Sequence, residues 1–132
     1  MRQKFIALVS SLSEIRKFIK NFLTEKKIDY KIIQDIELAS GEAVMNIVKH
    51  GYNNGNEKEF IEILIKLNSK QIEINFYDNG SPVDPKKIKP RDLEDIKPGG
   101  LGSHFIEKKI DEVKWKKSSE NWINHLIFIK YL

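Results

Sequence analysis

The apolar residues of this chain change period once, and that change limits the possible folds more than any other feature. From Leu12 to Val48 they recur at steps of three and four: Leu12, Ile15, Phe18, Ile19, Phe22 and Leu23, then Ile32, Ile33, Ile36, Ala39, Ala43, Val44, Ile47 and Val48. From Phe60 to Tyr77 they alternate with polar residues instead, as in Ile61-Glu62-Ile63 and Ile72-Glu73-Ile74. A helix face repeats every 3.6 residues and a strand face every two, so two amphipathic helices precede a pair of strands. Only Asn68-Ser69-Lys70 separates the two alternating runs, which makes them a hairpin. Ahead of the helices, Phe5 to Val9 reads as a first strand. Ser11-Leu12-Ser13-Glu14 then reads as a capping box, with Ser11 placed to cap the Glu14 amide. The second helix is expected from about Tyr30 to Lys49, with His50-Gly51-Tyr52-Asn53-Asn54-Gly55-Asn56 as a turn-rich exit.

Beyond the hairpin the chain changes character. The segment from Asp78 to Gly102 holds all four prolines and four of the seven glycines. A loop of that length within a compact domain is usually functional. A short helix is expected from Leu101 to Asp111, followed by strands at Glu112–Trp115 and His125–Tyr131. The resulting order is one strand, two helices, two strands, a long loop, a helix and two strands. That order implies an α+β domain spanning residues 1–132, a two-layer α/β sandwich whose mixed sheet is covered by helices on one face.

With 132 residues the chain can bury one core, and its apolar residues run from Phe5 to Leu132. No apolar run approaches the roughly 20 residues of a membrane helix. The first nine residues lack the pattern of a secretory signal, so a cytoplasmic location and no membrane contact are expected. The absence of cysteine excludes disulfides, thiolate zinc sites and a cysteine nucleophile. A net charge of +4 is compatible with nucleic acid. The lysines are nonetheless scattered among acidic residues, which fits an acidic protein or a polyphosphate at least as well.

Three short pieces carry chemistry. In the second helix, Glu42 and Asn46 stand four apart and therefore share a face. An asparagine carbonyl is a hard ligand suited to Mg²⁺ when phosphates supply further oxygens, and Glu42 could orient or deprotonate a hydroxyl. His50 continues that face, although packing or capping would equally explain it. After the second hairpin strand comes Asp78-Asn79-Gly80-Ser81-Pro82. A carboxylate at a strand end can accept the amino hydrogens of adenine, and Gly80, lacking a Cβ, allows close backbone approach. The same residues are also ordinary turn chemistry. Finally, Pro98-Gly99-Gly100-Leu101-Gly102-Ser103 opens a helix, where free amides and the helix dipole favour an anion.

Taken together, an E-x-x-x-N helix, a D-x-G turn after a strand and a G-x-G segment before a helix resemble the ATP-binding boxes of the GHKL (Bergerat-fold) ATPases. The wording is similar to that of the bacterial anti-sigma-factor serine kinases. The matching residues are Glu42-Ala43, Asn46-Ile47 and His50, then Asp78, Gly80, Pro82 and Asp84-Pro85, then Gly99-Gly100-Leu101-Gly102 with Ile106 and Asp111-Glu112-Val113 beyond. The resemblance implies an ATP-binding anti-sigma factor and serine-protein kinase acting on a STAS-type antagonist, a homodimer with no direct contact to nucleic acid. It implies ATP and Mg²⁺ as cofactors. Asn46 would hold the metal and Glu42 would be the base. Asp78 would read adenine with Gly80 lining the base pocket. Pro98 to Ser103 would receive the phosphates, and residues 83–98 would form a lid carrying Arg91 and Lys97.

Two departures stand out. Ser103-His104 follows Gly102 where the family often has an apolar residue, and no threonine-bearing third glycine box is visible. A non-catalytic module of the same fold, sequestering a protein with ATP or with no nucleotide, is the alternative reading.

Overall fold

The computed structural model describes residues 1–83, 106–116 and 121–132. Strand β1 (Arg2–Ala7) runs through a 3-10 turn at Val9–Ser11 into helix α1 (Leu12–Glu25). Helix α2 (Tyr30–Asn46) follows and passes into a wider π-turn at Ile47–Gly51. Strands β2 (Asn56–Leu67) and β3 (Gln71–Asp78) form the hairpin, and β4 (Glu112–Lys116) and β5 (Asn124–Tyr131) complete one sheet. Residues 106–109 are helical.

The strands lie in the order β1-β2-β3-β5-β4. Every pairing is antiparallel, where a mixed sheet was expected. The expectation rested on element order, and two antiparallel helices between β1 and β2 return the chain so that β2 runs against β1. The α+β class itself holds.

Alternation in β2 and β3 puts Ile61, Ile63, Ile65, Ile72, Ile74 and Phe76 on one face, all buried. Ile15, Ile19 and Leu23 of α1 and Ile33, Ile36, Ala39, Ala43 and Val44 of α2 close over them. Each fully buried aliphatic side chain of this size contributes about 1.5–3 kcal/mol. Phe76 and Phe128 meet edge to face at 4.9 Å. Ile106 and Ile110 reach the same core from the helical turn.

The opposite face of the sheet is polar yet partly dry. Glu62, Asn75, Tyr77 and His125 are buried there. His125 stacks on Tyr77 at 4.1 Å, and its Nε2 lies 2.7 Å from Asn75 Oδ1. Asn75 Nδ2 already donates to Glu73 and Leu64, so His125 is the donor in that bond.

The capping box at Ser11 does not form. Ser11 has helical backbone angles (φ −80°, ψ −10°) and makes no side-chain cap. The preceding 3-10 turn already leads the chain into α1, so Ser11 never takes the extended geometry that a capping side chain needs. The first strand also ends earlier than expected, at Ala7, because Val9 belongs to that turn.

Candidate functional site

Glu42 and Asn46 lie in the last two turns of α2, both half-buried. Ile47 and Val48 then turn inward into the core, and the helix widens. The Tyr52 amide bonds to the Ile47 carbonyl, five residues back, at 3.0 Å. A π-turn of this kind inserts backbone without breaking the helix and is frequent at functional sites. It leaves Lys49 and His50 exposed at the helix end, so His50 does not extend the Glu42–Asn46 row into the protein.

The end of β3 is tied to this turn at several points. Ser81 donates its amide to the Gly51 carbonyl at 2.8 Å. The Asn79 amide donates to the Tyr52 hydroxyl at 2.6 Å, and that hydroxyl donates to the Phe60 carbonyl at 2.8 Å. Burial pushes the Tyr52 hydroxyl up to about 12, so it stays protonated and able to serve both partners. Gly80 packs directly on the Gly51 backbone. A Cβ on Gly80 would lie 2.6 Å from both the carbon and the oxygen of that carbonyl. The bare face of Gly80 is therefore used by the chain itself, a requirement additional to any approach of a ligand.

Asp78, only 2% exposed, sits between these contacts. Its Oδ1 accepts from the Gly80 amide and from Asn124 Nδ2, each at 2.9 Å. Burial pushes its carboxyl above the usual range, and the bonds from Asn124 and Gly80 pull it back down. Asn124 Nδ2 also faces the carbonyls of Ser81 at 3.0 Å and Gly80 at 3.4 Å. Its Oδ1 accepts the Val83 amide at 2.9 Å. The Ile123 amide adds bonds to Asn79 Oδ1 at 2.9 Å and to the Asp78 carbonyl at 3.1 Å.

The sequence motifs thus meet in part. The helix end carrying Asn46 and the turn carrying Asp78 and Gly80 are joined through Gly51 and Tyr52. Pro98, Gly99, Gly100, Leu101, Gly102 and Ser103 lie outside the described residues, as does all but Val83 of the lid expected over residues 83–98, including Arg91 and Lys97. The helix they precede is anchored at its far end, where Lys130 Nζ donates to the Lys109 carbonyl at 2.8 Å. Lys109 Nζ lies 3.7 Å from Asp35 of α2.

Two residues of the site escaped sequence reasoning. Asn124 is Cα partner to Asp78 in the β3–β5 register, a pairing across 46 residues that no local pattern announces. Tyr52 is hidden in a stretch rich in turn formers; its one signal is a bulky aromatic directly after His50-Gly51.

Among the described residues no group of three or more His, Cys, Asp or Glu side chains could hold a metal ion alone. Glu42 and Asn46 offer hard oxygen donors, which suits Mg²⁺ that brings most of its ligands as phosphate and water. No helix among the described residues is long and apolar enough to cross a membrane.

Comparison with known proteins shows the family. Residues 5–130 match the model of the histidine kinase-like ATPase domain. The chain is 32% identical over 127 residues to the serine-protein kinase RsbW of Staphylococcus aureus strain JH9, covering 90% of this chain and 80% of that protein. The same figures hold for the protein of that name from strain MSSA476. Among solved structures, the histidine kinase domain of the blue-light activated histidine kinase of Erythrobacter litoralis EL346 superposes with a TM-score of 0.57 at 12% identity. That match covers 92% of this chain but 59% of the other, and it bears on the fold alone.

Proposed function

The chain belongs to the histidine kinase-like ATPase domain family, and from that membership we propose that it is an ATP-dependent serine-protein kinase and anti-sigma factor. Its substrate is a serine on a STAS-type antagonist protein, and its second partner is a sigma factor. The observation that carries this reading is the joining of the Asn46-bearing helix end to the Asp78 turn. Base recognition and phosphate-side chemistry then share one rigid frame. The 32% identity to serine-protein kinases over nearly the whole chain supports the choice of serine as acceptor.

In the proposed reaction the serine hydroxyl oxygen bonds to the γ-phosphorus of ATP while the bond to the β–γ bridging oxygen breaks and ADP leaves. Glu42 takes the hydroxyl proton. Asn46 would hold Mg²⁺, which would supply charge neutralisation at the phosphates. Asp78 accepts the adenine amino hydrogens through Oδ2. The amides of Gly100 and Gly102, with Ser103 beside them, receive phosphate oxygens, and residues 83–98 close as a lid. Phosphoryl transfer asks mainly for positioning and charge neutralisation, which these groups supply.

We further propose a cytoplasmic homodimer. Support for self-association lies in the face of the sheet turned away from α1 and α2, where Ile6 and Phe60 are 44% and 42% exposed beside buried Tyr77 and His125. The catalytic assignment is tested by Glu42→Ala. Nucleotide affinity should change less than about threefold while transfer of labelled phosphate to a STAS protein falls by at least about a hundredfold. Undiminished transfer would remove Glu42 as the base.

A further inference from the structure

The two oxygens of Asp78 are treated differently. Oδ1 accepts two hydrogen bonds, from the Gly80 amide and from Asn124 Nδ2. Oδ2 accepts none among the described residues. A purine held against Asp78 would therefore meet Oδ2.

Asn124 cannot be turned over to reverse this arrangement. Its Oδ1 accepts the Val83 amide at 2.9 Å, while Nδ2 faces the Ser81 and Gly80 carbonyls at 3.0 and 3.4 Å. A flipped amide would set oxygen against two carbonyls and an NH₂ group against an N–H. Asn124 is only 4% exposed, so no solvent would relieve the mismatch. The Gly80 amide is a donor by its chemistry. Both neighbours of the Oδ1 position thus donate, and any group there must accept.

We infer that Asn124 orients residue 78 for base recognition: by reserving the Oδ1 position for an acceptor, it decides which end of that side chain faces the purine. The inference rests on the reading of Asp78 as the base contact. Asn124 itself acts through Asp78 and is a positioning residue. With a carboxylate at 78 the outward atom is an acceptor. It pairs with the 6-amino group of adenine and repels the 6-oxo group of hypoxanthine or guanine. With an amide at 78 the carbonyl is forced inward and the NH₂ outward. The outward edge then donates, and a 6-oxo purine is preferred.

The test is titration of the 132-residue chain with ADP and with inosine diphosphate, which carries a 6-oxo group. The wild type should hold ADP tighter than inosine diphosphate by on the order of tenfold or more. Asp78→Asn, which keeps every hydrogen bond to the Oδ1 position, should invert that order. Asn124→Leu should keep ADP preferred, because either carboxylate oxygen accepts, and Asp78→Asn combined with Asn124→Leu should lose the inversion, because the amide is then free to turn. A general loss of stability would weaken both nucleotides together and leave the ratio unmoved. Equal loss of both nucleotides in Asp78→Asn would overturn the inference. So would a full inversion in the folded double variant. If the double variant does not fold, inversion or its absence in Asp78→Asn decides alone. A wild type that holds both nucleotides equally would overturn the inference while leaving a nucleotide site standing. A wild type that holds neither would overturn the nucleotide reading itself.

Discussion

Asp78 is placed where a carboxylate is costly and useful at once. Burial raises its affinity for a proton, and the folded state prefers it neutral more than the unfolded chain does. A carboxyl whose folded pKa lies above its unfolded value stabilises the fold fully below the unfolded value, near 3.8, and loses that contribution as pH rises through the folded value. Ionisation of this group therefore costs the ligand-free protein stability. Asp78→Asn keeps the inward hydrogen bonds and removes the charge, so it should raise stability at pH 7 by about 1 kcal/mol, with the gain shrinking toward pH 4. Denaturant melts at both pH values check this, and a loss at pH 7 would contradict it. Tyr52 is a second residue whose polar atom serves the site. Tyr52→Phe leaves the Asn79 amide and the Phe60 carbonyl without their shared partner, at a cost of about 1–3 kcal/mol by thermal or denaturant melts. A melt indistinguishable from wild type would show that water replaces the hydroxyl freely.

At the scale of elements, the contact between the π-turn and the β3 end decides the geometry. Gly80→Ala introduces a methyl 2.6 Å from the Gly51 carbonyl, which backbone cannot yield without moving. The expected result is a loss of about 1–3 kcal/mol of stability together with weakened binding of ATP and ADP alike. An unchanged melt and unchanged affinity would mean the two elements slide past each other easily. How much of this was legible depends on the range of the interaction. The buried stripe of α1, the apolar side of α2 and the hairpin around Asn68 follow from period alone, and all three occur as read. The E-x-x-x-N and D-x-G pieces are likewise local strings. The clamp by Asn124 is not, since it arises only once β5 docks beside β3 in one register. The failed cap at Ser11 and the widened turn after Asn46 have a similar origin. In both places tertiary packing of Ala7 or of Ile47 and Val48 sets a backbone path that side-chain chemistry alone would not choose.

Viewed whole, the molecule divides its labour between two faces of one antiparallel sheet. The helix-covered face holds the core. Its edge, at the ends of α2 and β3, carries Asn46 and Asp78 in one hydrogen-bonded frame. The other face buries Glu62, Asn75, Tyr77 and His125 among themselves and leaves Ile6 and Phe60 outward. Frame and family together make nucleotide binding the central claim, with Asn46 proposed as the residue that would hold Mg²⁺. The most direct measurement is calorimetric titration of the purified chain with ATP, with and without Mg²⁺, repeated on Asn46→Ala. The account predicts saturable binding that Mg²⁺ strengthens by on the order of tenfold, and loss of that strengthening in Asn46→Ala with the fold intact. An absence of ATP binding under both conditions would contradict it, and would make the chain a nucleotide-free module acting through its protein partners.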